Sequence, residues 1–217
     1  MLKPAVFFIL FSFALSLQAQ ERPFSITVQA GATIATIDPE WNAFDPRFRT
    51  GFFVGAGMQW PLSEKWSIPI DLRFAQRGFQ YNTPGAYVLI NGQIGVYQGR
   101  VDYRTSCVDL VPQVAFRPVR YLSLAAGPYL SWRTGEAVQY GDVVDWTSTT
   151  NIGVFSDIDF GLSGRLSGHF GRASVFVSYL FGLADYSDIQ LTDENGQSLG
   201  TLSARNRAIL VGAGWQF

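Results

Sequence analysis

The chain holds one cysteine, Cys107, one histidine, His169, and two lysines, Lys3 and Lys65, in 217 residues. A single cysteine excludes an internal disulfide, and its place far from the N-terminus excludes a lipid-bearing cysteine behind a leader. Any histidine-based triad or metal cluster must run through residue 169, and neither a metal-ligand spacing nor a paired serine and acid stands beside it in sequence. Beyond the N-terminus every apolar stretch is broken by Gly, Pro or charge within about ten residues, whereas a membrane helix needs roughly 20. A chain like this enters a membrane only as strands. The formal net charge of −1 implies neither nucleic acid nor an acidic surface as partner. Phosphate-cradling loops are absent, because Gly55-Ala56-Gly57 and Gly212-Ala213-Gly214 lie inside alternating segments rather than at strand-to-helix turns. Asp159-Phe160-Gly161 lacks the glycine-rich loop and lysine strand that would give it a kinase meaning. No metal or cofactor is expected.

What is abundant is glycine, at 22 residues, together with aromatics at 15%. Basic charge is carried almost wholly by arginine. This composition suits a twisted, tightly curved sheet with aromatic girdles. The N-terminus carries Lys3, an apolar run from Ala5 to Leu17, and Ala19 before Gln20 and Glu21. That order is the charged region, apolar region and small-residue cleavage site of a secretory signal peptide over residues 1–19, leaving 20–217 as one domain.

Eight segments alternate in hydrophobicity. The first, 24–36, sets Phe24, Ile26, Val28, Ala30, Ala32 and Ile34 against Ser25, Thr27, Gln29, Gly31 and Thr33. The others span about 50–60, 66–81, 101–117, 121–133, 156–170, a seventh from Ala173 to Leu183, and a last one ending at Phe217. In the sixth, Ile158, Phe160, Leu162, Leu166 and Phe170 oppose Asp157, Asp159, Ser163, Arg165 and His169. Connections alternate between short (61–65, 118–120, 171–172) and long (37–49, 82–100, 134–155, 185–204). Bacterial outer-membrane barrels have this rhythm of short periplasmic turns and long outer loops. One face of each strand is almost purely apolar while Asp and Arg line the other, so the polar face is the interior, the inverse of a soluble barrel. The expected fold is therefore an all-β, eight-stranded antiparallel transmembrane barrel with long outer hairpins. Asn91-Gly92 and Asn195-Gly196 are type I′ turn signals that would close two of those hairpins, with Pro84-Gly85 as a bulge in the first.

The last eight residues, LVGAGWQF, resemble the terminal signal read by the barrel-assembly machinery, through Gly212, Trp215 and Phe217, although Leu210 stands where a polar residue is usual. Further back, Gln76-Arg77-Gly78, Pro112, Gly127-Pro128-Tyr129 and Asp159-Phe160-Gly161, within DLRFAQRGFQY, LVPQVAFRP, YLSLAAGPYL and DFGLSGRLSG, resemble the PorT-type family of small outer-membrane β-barrels over most of residues 24–217. Asp71 stands where that family often has Glu, and 82–100 is longer than usual. The resemblance implies an eight-stranded barrel, with some family members tied to protein secretion across the outer membrane.

An eight-stranded barrel is just wide enough inside to be filled by its own side chains. Asp71, Arg73, Arg77, Asp109, Arg117, Arg133, Asp157, Asp159 and Arg165 are accordingly expected as a lumenal network of paired charges, with Arg73 meeting Asp109 near mid-height. His169 is expected at the periplasmic rim with its hydrogen bonds satisfied. The loop aromatics Trp41, Phe44, Tyr87, Tyr97, Tyr140 and Trp146 either contact a partner or pack on one another. The residues together indicate a barrel without catalysis, structural or partner-binding through its outer loops, with outer-membrane lipid, the assembly machinery and an extracellular or secretion partner as its contacts. A small barrel enzyme acting on outer-membrane lipid would need a nucleophile and base near an outer rim; a narrow channel is opposed by the density of interior charge.

Overall fold

The computed structural model describes residues 24–39, 46–90, 93–141, 144–148, 156–185, 187–192 and 198–217. The segment 1–19, Trp41, Phe44 and the tips Asn91-Gly92 and Asn195-Gly196 lie outside the described residues. No helix among the described residues is long and apolar enough to cross a membrane. Eleven strands form one antiparallel sheet: β1 (Ser25–Pro39), β2 (Arg47–Pro61), β3 (Trp66–Ile90), β4 (Gln93–Pro112), β5 (Val114–Val119), β6 (Leu122–Tyr140), β7 (Val144–Ser148), β8 (Ile158–Phe170), β9 (Ala173–Gly182), β10 (Ser187–Thr192) and β11 (Ser198–Gln216). The sheet closes on itself, because β1 pairs β11 from Thr27↔Gln216 to Pro39↔Ala204. Closure leaves no open edge in the wall.

The wall has eight strands because β5 continues β4, while β7 and β10 are return strands of outer hairpins on β6 and β11. Pro69 and Pro112 lack N–H groups, so the ladder breaks locally at Gln113, whose own N–H still donates to the Pro69 carbonyl at 2.9 Å. The segment 134–155, expected as loop, is partly sheet, since β6 runs on to Tyr140 and β7 pairs back onto it. On β3 and β4 the register passes from Thr83↔Gly99 to Ala86↔Tyr97, so Pro84-Gly85 is a two-against-one bulge. The hairpin above it pairs up to Ile90↔Gln93.

The tight turns have local causes. Ser63 Oγ accepts hydrogen bonds from the amides of Lys65 and Trp66, at 3.3 and 3.1 Å, which fixes the β2–β3 turn. Gly171, at φ 65, supplies the left-handed residue between Phe170 and Ala173.

Alternation then decides the faces. Val54, Leu72, Leu124, Leu162, Val177 and Val211 all lie outward and exposed, a continuous apolar belt of the kind that stays exposed only against lipid. Trp60, Trp66, Tyr121, Phe170, Trp215 and Phe217 border it at the tight-turn end, and Phe52, Trp132 and Phe181 at the other. Phe24 packs on Trp60 at 6.4 Å and Trp66 on Phe116 at 4.8 Å between ring centroids, so the lower girdle is a set of aromatic contacts.

Candidate functional site: the lumen

The lumen has two sides. Toward β2, β9 and β11 it is apolar: Phe53, Phe176, Leu180 and Leu210 are buried together, with Phe53 and Phe176 at 5.8 Å. Gly212 makes this packing possible. A Cβ there would come 2.5 Å from the Phe53 ring and 2.7 Å from the Ala30 carbonyl, so within the expected assembly signal it is the inward member, while Trp215 and Phe217 point outward.

Toward β3, β4 and β8 the lumen is charged. Deepest on the periplasmic side, Arg165 donates to Asp71 at 2.5 Å and to Gln29 Oε1 at 3.3 Å, and its guanidinium lies 4.4 Å above the Phe176 ring. The two sides of the lumen meet in this cation–π contact. Higher up, Arg77 is paired with Asp109, both side chains being almost fully buried, and lies 5.9 Å from the Tyr129 ring. Tyr129 Oη and Asn206 Nδ2 donate to the same Asp159 oxygen at 2.9 and 3.0 Å. Between the two ion pairs, Gln113 Nε2 donates to Ser163 Oγ at 3.0 Å.

Arg73 departs from expectation. It faces Asp109 directly across the β3–β4 ladder, but the carboxylate oxygen Oδ2 is taken by Arg77, and all three Arg73 guanidinium nitrogens are buried without a hydrogen bond among the described residues. A side chain opposite in register starts too close for a long guanidinium to meet its partner end-on, whereas one displaced along the strand reaches down at full length. Asp71, Arg73, Arg77, Asp109 and Asp159 are thus deep in the lumen. Arg117 and Asp157 are corrections to the expected buried network. Arg117 stands half-buried at the periplasmic mouth, and the Asp157 side chain is 88% exposed at the outer rim.

Sequence reasoning missed Glu136. Cys107 pairs with Arg133 and Ser106 with Gly135, so Thr134 is bulged out and the inward parity of β6 switches from odd to even numbers. Glu136 thereby turns inward and takes Arg133 at 2.5 Å, while Arg133 also holds Asp157 at 2.7 Å. The only sequence signal for this was Thr134-Gly135 inside an alternating run. Asn206 was legible by extending the alternation back from Ala208.

Above this rim the mouth is capped by rings. Phe79 stacks on Tyr103 at 5.3 Å and on Tyr81 at 6.1 Å, with Asp102 beside them accepting from Arg49 and from Gln80, each at 2.7 Å. Burial, and the neighbouring Tyr140, push the Tyr81 phenol up to about 12, since a phenolate there would be poorly solvated. Tyr97 packs edge-on against Tyr140 at 5.6 Å, so these two loop aromatics contact each other. Tyr87 lies in β3 and Trp146 in β7.

His169 sits at the periplasmic end, its Nε2 2.8 Å from Ser123 Oγ, a serine that adjacency in sequence did not reveal. No group of three or more His, Cys, Asp or Glu suited to a metal occurs among the described residues. Cys107 is buried and free.

Among solved structures, neisserial surface protein A matches at a TM-score of 0.51 with 12% identity, over 90% of this chain and 100% of that one. Ail, the attachment invasion locus protein of Yersinia pestis, matches at 0.46 and 12% identity over the same shares. OprG from Pseudomonas aeruginosa matches at 0.42 and 12%, over 89% of this chain and 95% of that one. No curated protein matches the sequence. The inverted barrel, its apolar belt and the match of residues 18–188 to the outer membrane protein β-barrel domain place this chain in that family, as a protein of the cell outer membrane.

Proposed function

We propose that this protein is a non-catalytic barrel of the PorT type, anchored in outer-membrane lipid after insertion by the assembly machinery, which presents its outer hairpins to an extracellular or secretion partner. The observation that carries this reading is the contrast between a lumen packed with buried side chains and a hairpin that overshoots the membrane. Among the side chains of β3 whose burial is described, the outward apolar ones end at Phe74, yet the strand continues to Ile90, roughly 50 Å of chain at about 3.3 Å per residue. A rigid barrel with a long projecting hairpin is suited to display rather than conduction or turnover. The Ser123–His169 contact favours this too, because it lies at the periplasmic end, away from the outer rim where a lipid-modifying site would be needed.

The test places a photo-crosslinking residue at Val96, which is 59% exposed on the hairpin, in intact cells. A discrete adduct is expected, and replacing the hairpin above Thr83 and Gly99 by a two-residue turn should abolish co-purification of the same partner while the shortened barrel still folds. Absence of any adduct at Val96 and at other hairpin positions would contradict display.

A further inference from the structure

The lumen is capped at its outer end and open at the other. Below the Asp71–Arg165 pair lies a cavity of about 60 Å³ whose wall includes Gln29, Ser67, Arg117, Ser123, Arg165 and His169. These residues converge because each occupies an inward position low on its strand. Gly57, Ala115 and Ala125 leave the space between them. It is room for about four waters, or for one small oxyanion.

The charge in this vestibule is unbalanced. Its lining has one carboxylate, Asp71, and that group is held by Arg165. Arg117 makes no hydrogen bond or ion pair through its guanidinium among the described residues. Around the mouth the three tight turns add Lys65, Arg120 and Arg172, all exposed, against the single acid Glu64. A recess with cationic walls and low-dielectric surroundings focuses a positive potential and concentrates anions. The donors come from different directions: the Arg117 guanidinium from β5, and from β6 and β8 the hydrogen-bonded Ser123–His169 pair, which in either tautomer keeps one O–H or N–H to offer. Donors spread over three strands suit a tetrahedral anion, whose oxygens diverge, better than a planar carboxylate.

We propose that this periplasmic vestibule binds a phosphate-class oxyanion, on Arg117 with Ser123 and His169 beside it. Such a group reaches the mouth either as a free phosphate or as the headgroup phosphate of a lipid in the periplasmic leaflet, and the chemistry of recognition is the same. Binding is reversible and involves no covalent step.

His169 is the only histidine in the chain, so its ring proton resonances report on this site alone. The experiment is an NMR titration of the full folded chain in maltoside micelles, which carry no phosphate, with inorganic phosphate, against sodium chloride at matched ionic strength. A saturable shift of the His169 signals is expected with phosphate and not with chloride. Arg117→Gln should weaken the phosphate affinity roughly tenfold, the worth of one charge-assisted contact, and Arg100→Gln, exposed on β4 at the outer end and away from the vestibule, should leave it unchanged. A second arm adds phosphatidylglycerol, in place of inorganic phosphate, to the same phosphate-free micelles. The same shift on adding phosphatidylglycerol identifies the headgroup as the source, and a shift with added phosphate alone identifies the free ion. Equal responses to phosphate and chloride, or no response to either phosphate or phosphatidylglycerol, would overturn the proposal. Undiminished binding in a folded Arg117→Gln variant would do so as well; if that variant does not fold, Arg117→Lys and the phosphate-against-chloride comparison on the native chain decide.

Discussion

Asp109 is the carboxylate on which two buried arginines depend, and neutralising it is the sharpest perturbation of the lumen. Its side chain is fully buried, one oxygen pairs with Arg77, and Arg73 faces it across the ladder. Asp109→Asn keeps the volume but breaks the Arg77 pair and removes the carboxylate charge facing Arg73, for which the loss of a buried pair suggests about 3–5 kcal/mol. Arg77→Gln is milder. It leaves Asp109 without its hydrogen-bonded partner but still compensated through space by the Arg73 charge across the ladder, so the residual cost is that of imperfect satisfaction, about 1–3 kcal/mol. Arg73→Met should be milder still, below about 1.5 kcal/mol, because an unbonded buried guanidinium is exchanged for apolar volume of similar length. The double variant Arg77→Gln/Asp109→Asn should fall short of the sum of its singles by at least about 1 kcal/mol. Urea unfolding in lipid vesicles, read by tryptophan fluorescence and by the faster migration of folded barrels on unboiled gels, supplies the energies. A cost for Arg73→Met equal to that of Asp109→Asn, or additive energies in the double variant, would refute this assignment of partners.

Three further outcomes are expected. Leu162→Arg, outward between Pro128 and Phe181, should cost roughly 2–4 kcal/mol on insertion if it lies near the midplane, whereas Ser163→Ala, inward, should cost about 1 kcal/mol for the lost Gln113 contact; the reverse order in vesicle-folding yields would mean the faces are exchanged. Gly212→Ala, which forces a methyl into Phe53 and the Ala30 carbonyl, should destabilise by about 1–3 kcal/mol, and Gly164→Ala, with nothing within 4 Å, should be nearly silent by the same urea assay. The aromatic cap should weaken in alkali: Tyr81 ionises at its ordinary value of 10.0 when unfolded but near 12 when folded, so the unfolded state loses its proton first and the stability Tyr81 contributes falls between about pH 10 and 12. Tyr81→Phe should flatten that part of the pH profile, and an unchanged profile would reject the role of this phenol.

The faces of the wall were legible because a membrane barrel imposes one rule at every residue: lipid on one side, lumen on the other. The rule placed Gln29, Phe53, Asp71, Tyr129, Ser163 and Leu210 inward from alternation alone. It was not carried past residue 133, where the segment reads as loop; one extra residue at Thr134 reverses the parity of β6 and carries Glu136 inside, and a bulge is a backbone event with only a weak side-chain signature. Alternation also says nothing about height, and so Asp157 and Arg117 were grouped with the buried charges although each stands at a mouth. Partner choice was the third gap. Ladder opposition suggested Arg73 with Asp109, but side-chain length selects Arg77, and the Ser123–His169 contact joins strands whose pairing only the closed register reveals.

The central claim is that the lumen is filled by its own side chains between a capped outer mouth and a shallow periplasmic vestibule. Conductance of the purified native protein in planar bilayers tests it most directly. No steady current above the bare-bilayer baseline is expected at either polarity, and a steady ion current through the unmutated barrel would contradict the account.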